Sequence, residues 1–571
     1  MKYLVKTIYL ILILVTVSLF NIKTFAKDAK FEYSKDEIFN YFSGIVSLNH
    51  NFTTAGFKYL NKVQILKKHS NYNVQFIRSL ILLKKFDQAF TFSKSIWNED
   101  VYFFEVDLLL GLNYFTNKDY ANAEKHFKRL NKISNYNLIF DDFFGNILIS
   151  WVKAAQNNKE GSFNFFNKIP ERFKNLKLIQ NSFLQCYFDT PKTLIAYNRL
   201  VKDEENSFSR YNFFLTNYLI SKNKTGEGKI LINKGIDFHN SNLLIRQLDN
   251  FLQTGNNKKI SNFFNCKDPN DSIAEIFYVI ANLYSTEKNY QLSNFYLNIS
   301  LFLNKKFISN KALLAENFFY QKKYNESKKI YNSIKSIGSI YSWFASKTIA
   351  SILVETKNVE DSTFYLKNEF DLLSNLNFEH YYDMANFYKD NEYYEESVKY
   401  YTLALQNLNN NHFLIPKILD RRGTSYERLG EWQKAETDLK ESLKILPDQP
   451  YVLNYLAYSW IDKGINIKES LKMLKKADSL RQNDPYIIDS LGWAHYLNKN
   501  YVNAEKFLQI AVELMPLDPV INDHYGDALW MLSKNIQARY FWQYVLNLEN
   551  AEEKLKNKVN KKLIFGISNK L

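Results

Sequence analysis

The sequence predicts an all-α chain: a superhelical α-solenoid of antiparallel helix hairpins stacked side by side. Three observations predict it. A small residue recurs at Ala281, Ala315, Ala350, Ala385, Gly423, Ala457, Gly492 and Gly526, in steps of 34, 35, 35, 38, 34, 35 and 34 residues. Twelve or thirteen residues after each comes a second small residue, and four further on a bulky apolar one. Finally, only 16 Gly and 9 Pro occur in 571 residues, so few breakers interrupt helices and turn-dense β architectures are disfavoured.

The chain opens with MKYLVKTIYLILILVTVSLFNIKTFA. Lys2 and Lys6 precede an apolar run from Ile8 to Phe20, and Thr24 and Ala26 supply small residues at a cleavage site. This three-part order reads as a secretory signal peptide over residues 1–26. The apolar run is 13 residues, short against the roughly 20 of a spanning helix, so an uncleaved membrane anchor is the alternative. With a mean hydropathy of −0.35 the whole chain is too polar for a multi-span membrane protein. Loss of Lys2, Lys6 and Lys23 with the leader takes the net charge from +15 to +12. The remaining lysines are dispersed, a balance that points to solubility and not to nucleic acid. Abundant aromatics, 40 Tyr and 46 Phe, fit an AT-rich coding bias and carry no functional reading. Cys186 and Cys266 stand eighty residues apart, more than two repeats of a stacked array, so two buried free thiols are expected.

Residues 27–139 carry the first repeats. LLLGLNYFTNKDYANAEKHFKRL places Gly111, Tyr114, Ala123 and Phe127 in register. One repeat earlier Ile77 takes the small position, a departure, and before that Gly44 and Gly56 fit. Over 140–265 the pattern is degraded but helical; divergent repeats are expected there, with a bend or a small insert as the alternative. Residues 266–548 hold the eight copies in register. Their second small positions are Ser293, Ser327, Ser362, Ser397, Ala435, Ser470, Ala504 and Ala538. Their bulky positions are Leu297, Tyr331, Leu366, Tyr401, Leu439, Leu474, Leu508 and Trp542. Small residues at two fixed positions let paired helices approach to about 8–10 Å. Pro447, Pro450, Pro485, Pro516 and Pro519 fall between hairpins, where helices must end. Residues 549–571 form a basic capping helix and tail, with Leu555, Val559 and Leu563 as its apolar stripe and lysines as its outer face.

The best single copy runs from Pro485 to Pro516, with Leu491-Gly492, Tyr501, Ala504, Leu508 and Ala511 in place. It resembles the tetratricopeptide repeat family, of period 34 residues. His495 stands where that family usually has an aromatic, in a slot facing the partner helix, and reads as a packing residue. The C-terminal run is similar to exported proteobacterial proteins of the family, a group defined by its repeats and not by one activity. The resemblance implies a right-handed superhelix of roughly thirteen to sixteen hairpins at the family period.

No catalytic or metal spacing is present: there is no phosphate-binding Gly-rich loop, H-E-x-x-H, G-x-S-x-G or C-x-x-C. Neither enzymatic activity nor a cofactor is expected. In the family, positions two, five, nine and twelve of each first helix tend to face the concave groove. Mapped onto the last three copies, this implies a candidate peptide-binding groove of Tyr451, Asn454, Tyr458, Tyr486, Asp489, Trp493, Tyr496, Asp523, Asp527 and Trp530. Aromatics interleaved with carboxylates suit a segment bearing apolar and basic side chains. The alternative is that these groups pack neighbouring repeats or cap helices. Family members that clamp acidic chaperone tails use Lys at position five, where this chain has Asp420, Asn454, Asp489 and Asp523; that role is disfavoured. The expected function is a non-enzymatic scaffold for a protein or peptide partner in the periplasm of a Gram-negative bacterium. Membrane contact is expected only peripherally or through an uncleaved leader. A non-catalytic subunit of an envelope-biogenesis or glycan-modifying enzyme complex is the alternative.

Overall fold

The computed structural model describes residues 33–567, apart from 64–65, 67–68, 102, 133–141, 202–209, 239–241, 257–258 and 261. The expected signal segment, residues 1–26, lies outside the described residues. Among the described residues there are 30 α-helices and no strand, the α-solenoid of hairpins that the repeat spacing predicts. Two compact units result, one ending at Leu366 and the other beginning at Lys367, a boundary inside the 266–548 array.

The small positions act through contact distances. A Cβ on Gly492 would lie 2.6 Å from Leu508 Cγ, and one on Gly526 would lie 2.5 Å from Trp542 Nε1. In each case the blocking side chain is the bulky residue of the same copy, on the second helix of the same hairpin. Ala281, Ala315, Ala350, Ala385 and Ala457 are fully buried at the same place. In three copies the second small residue, a serine, also bonds across the pair, whereas Ser397 bonds to Ser425 of the next hairpin at 3.0 Å. Ser293 Oγ donates to Ala281 O at 2.7 Å, Ser327 Oγ to Ala315 O at 2.8 Å and Ser362 Oγ to Ala350 O at 2.7 Å. Ser470, thirteen and not twelve residues after its partner Ala457, has no such bond. The extra residue sits in a longer turn that passes through positive φ at both Gly464 and Asn466.

The turns share one backbone solution. Lys84, Lys118, Asn157, Lys288, Lys322 and Lys499 each take a left-handed φ of 57–62° just after a first helix. Pro269, Pro450, Pro485 and Pro519 open their helices at the first turn, where a missing N–H costs nothing. Asp268, Asp484 and Asp518 cap three of these helices through their side chains.

Within the first unit the array returns on itself. Gln291 Nε2 donates to Leu48 O at 3.2 Å, and Gln321 Nε2 donates to Asn51 Oδ1 at 3.1 Å. Phe86 stacks on Phe302 with ring centroids 4.5 Å apart, and Phe144 stacks on Phe277 at 5.9 Å. The aromatic side chains drive this return, because an open stack would leave them in water. The degraded stretch supplies three hairpins, Phe144–Ala155 with Lys159–Asn167, Lys174–Tyr187 with Thr193–Val201, and Tyr211–Ser221 with Thr225–Phe238. A further helix, Leu243–Gln253, packs on Ser339–Thr356. Small positions persist there as Ser150 bonded to Ser162 and as Thr216 against Gly228. Serine and threonine in place of glycine and alanine at the first small position, Ser150 and Thr216, hid the register.

The expectation of two free thiols is overturned. Cys186 and Cys266 form a disulfide, with their Cα atoms 6.0 Å apart. The eighty residues between them do not run straight. The end of Lys174–Tyr187 lies beside the segment before Pro269, where Phe183 packs on Phe264 at 5.0 Å and Lys267 Nζ donates to Tyr187 O at 2.7 Å. Nearby, Arg210 grips the fully buried Glu275 bidentately at 3.0 and 2.7 Å, and Tyr211 donates to the same carboxylate at 3.1 Å.

Candidate functional site

In the second unit, five hairpins from Phe378 to Asn547 are followed by the helix Glu553–Phe565. The candidate groove residues lie on the first helices of the last three hairpins, Pro450–Asp462, Pro485–Leu497 and Pro519–Met531. The structure sorts them into an open end, a stacked middle and a covered end.

At the open end Tyr451 and Tyr486 are each half exposed. Tyr451 is held in place: its hydroxyl donates to Asp484 Oδ2 at 3.1 Å, and the Arg481 guanidinium lies 4.8 Å over its ring. Asp484 also accepts from Arg481 Nε at 3.0 Å and caps its helix through the Tyr486 and Ile487 amides. Asn454 and Tyr458 follow Tyr451 on one helix face and are half-buried. Asn454 Oδ1 has no hydrogen-bond partner. Burial, and then the Asp489 charge, push the Tyr458 phenol up to about 12.

In the middle, three rings stack in a column. Trp493 lies 4.0 Å from His524 and 4.6 Å from Tyr496, nearly parallel to both. His524 Nδ1 donates to both oxygens of the buried Asp489, at 3.0 and 3.1 Å. Burial disfavours the imidazolium, but the Asp489 charge and hydrogen bond, helped by Asp523 and Asp527, raise its pKa above the ordinary histidine value. A protonated His524 stacked on an indole is also a cation–π contact. Tyr496 is raised by burial first and then by Asp527.

At the covered end Asp523 and Asp527 are almost wholly buried, 1% and 4% exposed, beneath the C-terminal helix. Lys562 Nζ reaches Asp523 Oδ1 at 2.6 Å and the two oxygens of Asp527 at 2.6 and 2.7 Å. Lys558 adds a longer contact to Asp523 at 3.5 Å, and Trp542 Nε1 donates to Asp527 at 3.0 Å. Burial, then the Asp523 charge, hold the Asp527 carboxyl up at about 6 against the pull of Lys562. Trp530 is half-buried, 5.4 Å from Trp542, with the Arg539 guanidinium 5.1 Å over its ring.

Sequence reasoning did not identify Lys562, His524, Asp484 or Arg481. The lysines of the last helix read as an outer, solvated face, and Lys562 corrects that reading: it points inward and is buried. A signal existed in the spacing, since Lys562 follows Lys558 by one turn and lies beside the stripe residue Val559, which is fully buried. His495 stacks on Phe507 of its partner helix at 5.5 Å, and its pKa is lowered by burial and then by Lys475. Among the described residues no group of three His, Cys, Asp or Glu could hold a metal ion, and no helix is long and apolar enough to cross a membrane.

Residues 379–407 match the family model of the tetratricopeptide repeat. A TPR repeat-containing protein of Pseudomonas aeruginosa is 30% identical over 110 residues, which make up 19% of this chain and 18% of that protein. The chain thus spans less than a fifth of the length of the curated relative it matches. Among solved structures, MamA from Desulfovibrio magneticus is 19% identical, covering 31% of this chain and 97% of its own at a TM-score of 0.27. A tetratricopeptide repeat protein from Parabacteroides merdae is 19% identical, covering 39% and 88% at a TM-score of 0.33. The Cut9–Hcn1 hetero-tetramer of APC/C is 10% identical, covering 92% and 96% at a TM-score of 0.37.

Proposed function

We propose that this tetratricopeptide-repeat protein, by its repeats a scaffold for protein–protein interaction, works in the envelope of a Gram-negative bacterium. There it takes a partner segment with a basic side chain set between apolar ones. The receiving face is that of Pro450–Asp462 and Pro485–Leu497. The carrying observation is the occupant of the adjoining end. The chain's own C-terminal helix sits there with Lys562 between Asp523 and Asp527 and Val559 buried beside it. A face that accepts a basic, apolar helix in cis has the chemistry to accept one in trans. The uncovered part offers Tyr451 and Tyr486 as aromatic contacts.

Two features support export. The first 26 residues have the order of a signal peptide, and the Cys186–Cys266 disulfide belongs in an oxidising compartment.

The test places a photo-crosslinking residue at Tyr486 in the native host. It compares the wild type with Tyr451→Ala and Asn454→Ala combined. Asp489, Asp523 and Asp527 are left intact because their bonds hold the hairpins together. A protein crosslinked to the first and lost from the folded second supports the face; an unchanged set of partners refutes it. Thiol trapping in cells tests export: Cys186 and Cys266 should resist alkylation until reduced, and free thiols in the living cell would refute the location.

A further inference from the structure

The return of the first unit creates a pocket that belongs to no single hairpin. One wall comes from the turn after Ser70–Leu82 and the start of Phe86–Ile96. The other comes from the end of Tyr290–Leu303 and the start of Ile308–Tyr320. Its volume is about 500 Å³, within the usual range for a small ligand of about 300–1,000 Å³. The floor is apolar, made by the stacked rings of Phe86 and Phe302 and by Leu301.

Three lysines, Lys84, Lys305 and Lys311, converge on this floor, and a single acid, Asp87, lines the same space. None of the three lysines forms an ion pair among the described residues, whereas Lys153, Lys177 and Lys562 elsewhere each hold a carboxylate. Asn298 supplies the second observation. It is 2% exposed, it lines the pocket, and its Oδ1 has no hydrogen-bond partner. A half-turn of its carboxamide exchanges oxygen for NH2, so the group can donate to a ligand oxygen. Polar side chains this deeply buried are ordinarily satisfied, and an orphan on a residue that lines a pocket marks a place for a ligand or water.

We propose that this pocket binds a small amphipathic anion, an oxyanion head carried on an apolar body, with the head among Lys84, Lys305, Lys311 and Asn298 and the body on Phe86, Leu301 and Phe302. The electrostatics agree. Burial, followed by repulsion from Lys329 and Lys311, lowers the Lys84 pKa, so Lys84 and Lys311 repel each other. An anion relieves that repulsion, and the low-dielectric aromatic floor strengthens the attraction. A carboxylate and a phosphate monoester share this chemistry. The pocket is separate from the face proposed above, and neither reading depends on the other.

Calorimetric titration of the purified protein with octanoate, octyl phosphate, octanamide and inorganic phosphate tests the assignment. At least one of the octyl anions should bind about tenfold or more tightly than octanamide, and the tighter of the two identifies the head. Lys84→Gln combined with Lys311→Gln should weaken that binding about tenfold, whereas Lys306→Gln, a neighbouring lysine outside the pocket, should leave it unchanged. Asp87→Asn makes an independent variant and should tighten binding two- to fivefold by removing the opposing charge. Equal binding of octanamide, inorganic phosphate binding as well as the octyl anions, or indifference to both the lysine and the Asp87 variants would each overturn the proposal. So would no binding of either octyl anion at millimolar concentration.

Discussion

Replacing Lys562 with methionine removes one charge from the covered end of the groove and little volume. The wild-type ammonium is bonded to Asp523 and to both oxygens of Asp527, and all three groups are buried. Breaking a buried pair from one side costs about 3–5 kcal/mol, because the remaining charge has neither water nor a partner. Two features lower the figure here. Lys558 already lies 3.5 Å from Asp523, and Trp542 Nε1 still donates to Asp527. The expected loss is therefore at the bottom of the range, about 3 kcal/mol at pH 7.5.

The loss should depend on pH. The folded pKa of Asp527, about 6, lies above its ordinary value of 3.8. The stability it contributes is complete below that ordinary value and is lost as pH rises through the folded pKa. Without Lys562 the folded pKa rises further, since the one strong cation lowering it has gone. Lys562→Met should then be costly at pH 7.5 and much milder at pH 5, where a protonated Asp527 needs no counter-ion. Urea unfolding followed by the fluorescence of Trp493, Trp530 and Trp542, with hydrogen exchange read over Glu553–Phe565, measures both. Equal destabilisation at the two pH values, or less than about 1 kcal/mol at pH 7.5, would refute the reasoning.

Three further substitutions probe the packing that builds these surfaces. Gly492→Ala puts a Cβ 2.6 Å from Leu508 Cγ and should cost about 1–3 kcal/mol in thermal unfolding. Lys499→Gly relieves a left-handed φ of 59° in the turn of that same hairpin and should stabilise it by up to about 1 kcal/mol in the same assay. Replacing Cys186 and Cys266 by serine opens a loop of sequence separation 80 and should destabilise the first unit by about 2–4 kcal/mol. Treatment of the wild type with reductant should lower its melting temperature in the same direction.

The repeat spacing alone was enough to determine the helical hairpins, because it reports a local contact. Gly492 must be small where Leu508 crosses it, and both residues belong to one hairpin about forty residues or fewer in length. Pro485 and Pro519, read from the sequence as breaks between hairpins, instead open the helices that follow. His495 could be assigned to packing because its slot faces its own partner helix. The degraded stretch was illegible for a chemical reason: at the first small position, Ser150 and Thr216 do the work of glycine and alanine. What tertiary structure decided depends on contacts between segments far apart in the chain. The return of the first unit brings Gln291 to Leu48 and Cys186 to Cys266, and it builds the lysine pocket from residues near 85 and near 300. The final helix likewise turns Lys562 inward onto Asp523 and Asp527. A period in sequence specifies how neighbouring hairpins pack. Whether a buried acid meets water, a partner or the chain's own lysine is set by which distant segment lies over it.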